Sequence, residues 1–363
     1  MKNSSKLGLI ASFLVGMSAF AFSAEDNPLK ISGTADIYYL RDLNSGTSPL
    51  NLRSFDSDTN RFKLNTALAK LRYTPAKSPI SFSVDFGFGK MQDVTNATEP
   101  GGSKKYKNFQ QAFVSYAKGS TNLDFGKFKT WMGYEDLENS ENPNYGQGYI
   151  WTLGTPTYHF GARTAIKAKD MDVKLFLVRG WNEVEDSNTS LSFGGQVAKN
   201  LNSKTALTLN FIGGSEGSST GGVAGVGYAD AKQRGTYVYN AILNFKMSDT
   251  KTLVLEGLYA NALGTNGSTS AQWSGVAGYA ILQFSPKAQG TLRLEAFNDV
   301  DGVRTGTKQN LAAATVTGKY KMSPTGTVIL EFRSEKSNNS VFTGRNGNRK
   351  DRNRLSAAYI LKF

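Results

Sequence analysis

Residues able to do covalent or acid–base chemistry are scarce in this chain. Its 363 residues contain one histidine, His159, and no cysteine. Zinc sites usually draw several ligands from His and Cys, so no metal centre is expected, and no cofactor. His159 falls inside an alternating segment, Tyr158-His159-Phe160-Gly161-Ala162-Arg163, on the face opposite Tyr158 and Phe160. A Ser–His–acid site built on it would need a constellation that the sequence does not supply, so the chain is not expected to be an enzyme. Charge, by contrast, is placed in a pattern. Glu135, Asp136, Glu138 and Glu141 cluster in 132–156, MGYEDLENSENPNYGQGYIWTLGTP, a stretch without Lys or Arg. The chain as a whole has 42 Lys and Arg against 29 Asp and Glu, a formal charge of +13. Basic residues on the polar faces of alternating segments include Arg61, Lys63, Arg163, Lys167, Lys174, Arg293 and Arg333, with Lys127 and Lys129 beside them. Opposed rows of fixed charge across a narrow passage select solutes by charge and size, provided that the surrounding elements enclose a passage.

Those elements read as strands. Sixteen segments recur at about 30–41, 61–73, 80–90, 107–118, 121–131, 157–168, 172–180, 189–199, 203–213, 235–247, 251–262, 272–284, 289–300, 310–321, 326–336 and 354–363. Alternation is clean in many of them. Ile80, Phe82, Val84, Phe86 and Phe88 oppose Ser81, Ser83, Asp85 and Gly87; Val328, Leu330 and Phe332 oppose Glu331, Arg333 and Glu335. Asp36, Asp85, Glu256 and Glu295 share the polar side, so part of the basic wall is expected to be locally paired. The fifth segment, LDFGKFKTW, does not alternate simply, and a bulge is expected at Gly126. A soluble sandwich would show the same alternation, but the connections argue for a barrel. They switch regularly between short (TPAKSP, KGS, LNSK, MSDT, SPKAQ, MSPT) and long (42–60, 91–106, 132–156, 214–234, 337–353). Short turns at one end, long loops at the other and an even strand number are the habit of outer-membrane barrels. A barrel of sixteen strands has a lumen too wide for side chains to fill, so any constriction is expected from an inward loop. That assigns 132–156 to the constriction and the basic residues to the facing wall. A solvated external loop is the plainer reading of the same segment.

Both ends fit this reading. Lys2 and Lys6 precede an apolar run, 7–22, and small residues around Ala21, Ser23 and Ala24, the form of a secretory signal peptide over 1–23. Without Lys2 and Lys6 the charge is +11 (13 − 2). The remainder, 24–363, is expected to be one barrel, with only Ala24 to Leu29 ahead of its first strand. No segment beyond the leader approaches the ~20 apolar residues of a membrane helix. The last residues, RLSAAYILKF, carry Leu355, Ala357, Tyr359, Leu361 and Phe363 on one face. Tyr359, Leu361 and Phe363 resemble the terminal signal by which bacterial outer-membrane barrels are recognised by the assembly machinery. Absence of Cys excludes a disulfide-stapled scaffold. Scattered rather than clustered cations argue against nucleic-acid binding. Two basic patches, Lys104, Lys105 and Lys107, and Arg345, Arg349, Lys350, Arg352 and Arg354, are expected at the mouth, where solvated charge or lipopolysaccharide contact would account for them.

Over about 107–200 stand Phe125-Gly126-Lys127-Phe128, Gly133-Tyr134-Glu135 with Glu138, Asn142, Asn144 and Tyr145, Pro156 to Arg163, and Gly180-Trp181-Asn182 with Asp186 and Asn188. In these residues the chain resembles the OmpL-like β-barrel porin family of Gram-negative bacteria. The resemblance implies an outer-membrane channel and supplies neither catalytic residues nor a solute. The expected function is passive diffusion of small hydrophilic solutes with mild anion preference. The expected partners are membrane lipid, lipopolysaccharide and, as in general porins, two further copies in a homotrimer. The alternative is a closed-lumen barrel acting as a surface receptor or adhesin.

Overall fold

The computed structural model describes residues 27–44, 50–97, 99, 106–185, 190–216, 234–263 and 270–363. Residues 1–23, where a signal peptide is expected, and Lys104, Lys105, Asp186 and Asn188 lie outside them. The strands are β1 (Leu29–Asp42), β2 (Arg61–Tyr73), β3 (Ile80–Phe88), β4 (Phe109–Lys118), β5 (Thr121–Lys129), β6 (Tyr158–Lys167), β7 (Met171–Val178) and β8 (Ser192–Asn200). They continue as β9 (Thr205–Glu216), β10 (Arg234–Ser248), β11 (Lys251–Ala262), β12 (Ala271–Ser285), β13 (Ala288–Asp299), β14 (Gln309–Lys321) and β15 (Gly326–Ser337). A hairpin of β16 (Phe342–Gly344) and β17 (Gly347–Arg349) precedes the last strand, β18 (Asp351–Lys362).

All except the hairpin form one closed antiparallel barrel of sixteen strands, in the order β1-β18-β15-β14-β13-β12-β11-β10-β9-β8-β7-β6-β5-β4-β3-β2. Closure is made by β1 on β18, with Thr34 opposite Lys362 and Asp42 opposite Arg354. Phe363 extends it, exchanging backbone hydrogen bonds with Gly33 at 2.8 and 3.1 Å. Closing the sheet pairs every strand on both edges, which backbone groups in hydrocarbon require. The outward face is apolar: Phe62, Phe125, Val276 and Leu330 are exposed, and Tyr39–Phe62 and Tyr73–Phe82 make cross-strand ring contacts at 5.2 Å.

The inward face has two characters. On β7–β14 it carries an apolar cluster of Phe176, Ile212, Val238, Val254, Leu258, Trp273, Phe297 and Leu311, beside buried polar residues such as Asn240, Glu256, Arg293 and Glu295. On β1–β6 and β15–β18 it is polar, and Asp36, Asp85, Asp124, Glu331 and Arg333 are buried there.

Three elements were not anticipated: the β16–β17 hairpin, a helix α1 (Lys90–Thr95), and a π-helical turn at Ile150–Gly154. Nor is there a bulge at Gly126. Both ladders of β5 run through it without a register shift. Its φ is +139°, directly opposite Gly161 at +157°. A Cβ at Gly126 would lie 2.3 Å from the Ala112 carbonyl, so only glycine fits, and the paired kink is what breaks the alternation of LDFGKFK. Register shifts occur elsewhere, between Asp36 and Ile37, Asp85 and Phe86, Lys246 and Ser248, and Gln283 and Ser285.

Candidate functional site: the segment across the lumen and its anchors

The connection between β5 and β6 spans 130–157, slightly longer than the 132–156 expected. Its anchors show its course. In the barrel order β14 is fourth and β6 twelfth, so they are eight strands apart in either direction. The segment reaches that far wall: Asn144 donates to Thr317 of β14 at 2.7 Å, and Lys319 of β14 donates to the Asn142 carbonyl. It crosses the barrel interior.

The crossing is held at a tyrosine–glycine run, Tyr145-Gly146-Gln147-Gly148-Tyr149. The N–H groups of Tyr145 and Gly146 donate to Glu331 at 2.6 and 3.0 Å. Gly148 N–H donates to Glu135 at 2.6 Å and Tyr149 N–H to Glu295 at 2.5 Å. The Tyr145 hydroxyl reaches Asp36 at 3.0 Å, and Tyr134 N–H reaches Glu256 at 2.9 Å. Carboxylates of both wall and segment thus take up backbone donors that have no helix or strand partner, as buried N–H groups need. The glycines permit the approach. A Cβ on Gly146 would stand 2.5 Å from Asp56 Oδ2, and one on Gly148 2.7 Å from Glu295 Oε2. Behind this run, Ile150 and Leu153 of the π-helical turn pack into the apolar cluster of the β7–β14 wall, and the Trp273 indole donates to the Gly154 carbonyl at 3.3 Å.

Beside the crossing a ladder of arginines climbs toward the long-loop end. Arg293, Thr315, Arg333 and Arg354 are successive cross-strand partners on β13, β14, β15 and β18. Four like-directed side chains in one row, three of them cationic, would repel. Carboxylates are interleaved between them. Arg293 pairs with Glu135 and, at 3.2 Å, with Glu295. Arg333 pairs with Glu295 and, at 3.0 Å, with Glu335. Glu335 also takes Arg352 at 2.8 Å and Arg354 at 3.3 Å, and Arg354 continues to Asp56 at 2.7 Å. Arg53 closes the row on Asp56 with two bonds of 2.8 and 2.9 Å. Burial raises the Asp56 carboxyl, but Arg354 and Arg53 outweigh it and hold the carboxyl below its ordinary value.

The other anticipated residues are distributed as follows. Asp136 meets Lys129 at 2.9 Å; Glu138 takes Lys70 at 2.7 Å and Lys129 at 3.5 Å. Glu141, at the tip, meets Lys362 at 2.6 Å, which tethers the segment to the last strand. Burial raises the Glu141 carboxyl, but the hydrogen bond and charge of Lys362 lower it below its ordinary value overall. Arg163 pairs with Asp124 at 2.6 Å, Lys63 with Asp58 at 3.7 Å, and Lys174 donates to Gln196 at 2.8 Å. Lys127 is buried with its ammonium on Asn96 and 4.0 Å from the Tyr158 ring centroid. Arg61 and Lys167 are exposed near opposite ends of their strands. His159 is fully buried beside Phe128 and Trp131, with Nδ1 2.8 Å from the Gly180 carbonyl and Nε2 3.2 Å from Thr130 Oγ1. A carbonyl and a threonine hydroxyl orient the ring and do not make a catalytic pair. One expectation is corrected: Arg352 and Arg354 do not lie in a patch at the mouth but point inward from β18 and are 1 % exposed. Sequence reasoning did not name Arg53, Asp56 or Lys70.

A model of the family described as "Putative beta-barrel porin-2, OmpL-like" matches residues 28–363. The chain belongs to this family. Solved structures share the barrel at low identity. OmpT of Vibrio cholerae, described in a trimer form, superposes with a TM-score of 0.63 at 11 % identity, covering 92 % of this chain and 99 % of that one. The outer-membrane channel DcaP of Acinetobacter baumannii gives 0.62 at 10 % identity, covering 94 % and 99 %. The anion-selective porin of Comamonas acidovorans gives 0.60 at 10 % identity, covering 92 % and 100 %. No curated protein matches the chain. Family and fold make this a porin-type barrel of the outer membrane.

Proposed function

We propose that the protein is a passive diffusion channel for small hydrophilic solutes with mild anion preference, and that 130–157 is its constriction. The observation that carries this reading is the anchoring of that segment on the far wall by backbone N–H groups. A segment held by Glu331 of β15 and Glu295 of β13 at once is a fixed partition, which narrows a wide barrel without a moving part. Glu135, Asp136, Glu138 and Glu141 hold the partition while Lys and Arg of the wall face it. Weak, multiple polar contacts let a solute enter and leave. The preference is mild because cations of the wall are paired with carboxylates, Lys63 with Asp58, Arg72 with Asp85, Lys129 with Asp136 and Arg163 with Asp124. The anion selectivity named for the Comamonas acidovorans neighbour supports the sign. Assembly as a homotrimer in lipid and lipopolysaccharide is part of the proposal, supported by the trimer form of the Vibrio cholerae neighbour.

The near-complete burial of Tyr145, Tyr149 and Trp151 at the middle of the segment favours a second reading, a closed barrel serving as a surface receptor. Liposome swelling separates the two. The channel reading expects swelling in small sugars and amino acids that declines with solute size; a closed barrel gives none.

A further inference from the structure

Resting on the channel reading, we infer that solutes pass along one flank of the lumen only, the β2–β6 side, where Lys70, Arg72, Lys129 and Arg163 set the anion preference, and that the arginine ladder is a clamp which solutes do not touch. The two groups of cations differ in access to water. Arg293, Arg333, Arg352 and Arg354 have side chains 0–1 % exposed, and their carboxylate partners are no more than 2 % exposed. An ion cannot be selected by a charge it cannot approach. On the other flank Lys70 is 20 % exposed, Arg72 34 %, Lys129 21 % and Arg163 26 %.

On the β7–β14 side the segment lies against the inner wall, with Ile150, Leu153 and Met132 in one buried apolar cluster with Leu258, Trp273 and Phe297. The route inferred is instead the flank between segment 130–157 and β2–β6, where Lys70, Arg72, Lys129 and Arg163 remain partly exposed.

Three of the ion pairs on that flank share one orientation, and Lys129–Asp136 does not. In the three, the carboxylate sits behind and the cation in front: Glu138 and Asp85 are 1 % exposed and Asp124 5 %, although they pair with Lys70, Arg72 and Arg163 respectively. The pairs are neutral in sum, yet a passing solute meets their positive ends. Low-dielectric walls focus such a field into the passage, and its reach of roughly 8 Å at physiological salt matches a narrow lumen. Arg163 is fixed in place by its stacking 5.0 and 4.5 Å from the Phe113 and Phe128 ring centroids. Asp136, 33 % exposed, lies on the same flank and moderates the effect. The solute class that this geometry favours is the small carboxylate or phosphate, whose oxygens suit guanidinium and ammonium donors.

The absence of cysteine makes the test direct. Single variants Arg72→Cys, Arg163→Cys and Thr315→Cys are reconstituted in liposomes and exposed to a charged, membrane-impermeant thiosulfonate, and modification is followed by intact mass. Thr315 is fully buried between Arg293 and Arg333 in the ladder. The two flank positions should react faster than Thr315→Cys by on the order of 10-fold or more, because the latter reacts only after local opening. Equal rates, or faster reaction at Thr315→Cys, would overturn the assignment of the route. In planar bilayers, Arg72→Gln with Arg163→Gln should move the reversal potential toward cations; an unchanged potential in a conducting barrel would overturn the role of the flank. Flank labelling of the cysteine variants together with no conductance from the wild-type barrel would overturn the channel reading instead, since the labelling does not depend on conduction.

Discussion

Gly146→Ala is the sharpest perturbation of the anchoring scheme. The added Cβ would lie 2.5 Å from Asp56 Oδ2 and 3.1 Å from both Arg53 Nη2 and Glu331 Oε1. Asp56 is gripped by Arg53 and Arg354 and cannot turn away without breaking a bond of 2.7–2.9 Å. The segment must shift instead, which lengthens the bonds that Tyr145 and Gly146 N–H make to Glu331 at 2.6 and 3.0 Å. Overpacking costs ~1–3 kcal/mol and a weakened bond to a charged group ~1.5–3 kcal/mol, so partial relaxation leaves a loss of about 3 kcal/mol. That is about a 150-fold rise in the local opening constant of the segment. Hydrogen exchange at the amides of Tyr145, Gly146, Gly148 and Tyr149 reads it, with the β13 amides as internal reference. Those four should exchange faster in the variant while β13 is unchanged, because the barrel ladder is separate from the crossing. Wild-type protection at Tyr145 and Gly146 would refute the reasoning that carboxylates hold the segment through its backbone.

Three further outcomes are expected. Glu141, lowered overall by Lys362 against the effect of burial, contributes stability above the ordinary glutamate pKa of ~4.3, and that contribution is lost as pH falls through its lower folded value; tip exchange should therefore rise in acid, and Glu141→Gln should show the acid behaviour at neutral pH. A tip insensitive to both would contradict the tether. His159→Ala removes a buried ring beside Trp131 and Phe128 and should cost about 3 kcal/mol of local stability, measured by thermal unfolding, while liposome swelling persists; a hydrolytic activity lost with the ring would revive an enzymatic role. Phe363→Ala should lower the yield of assembled barrel in membranes, read as the heat-modifiable fraction on gels, because Phe363 both caps β18 and covers Gly33; an undiminished yield would remove Tyr359, Leu361 and Phe363 from the assembly step.

The barrel was legible because its outer face repeats every second residue, and that repeat is local. Segments 61–73 and 251–262 coincide with β2 and β11, and the others end within a few residues of the observed strands. Where both faces of a strand are apolar or small, as in AQWSGVAGYAIL of β12, the repeat fades, and the apolar inner wall of β7–β14 was not foreseen. The ladder was illegible for a different reason. It joins residues as distant as Arg53 and Arg354 through the closure of β18 on β1, and no sequence window contains both. Arg352 and Arg354 were read as mouth charge because they follow the basic run Arg345, Arg349 and Lys350, whereas strand alternation turns them inward. The acidic cluster was conspicuous by composition, yet its partners depended on the third dimension. A usable signal for the crossing point was present in Tyr145-Gly146-Gln147-Gly148-Tyr149: two glycines one residue apart, between aromatics, mark a backbone that something approaches closely.

The central proposal is an open, mildly anion-preferring passage beside a fixed partition. The reversal potential of the purified wild-type barrel in a planar bilayer under a potassium chloride gradient tests it most directly. A conducting barrel whose potential shifts modestly toward the chloride equilibrium value is the predicted result. A cation-preferring potential would contradict the charge assignment, and the absence of any conductance would contradict the channel itself.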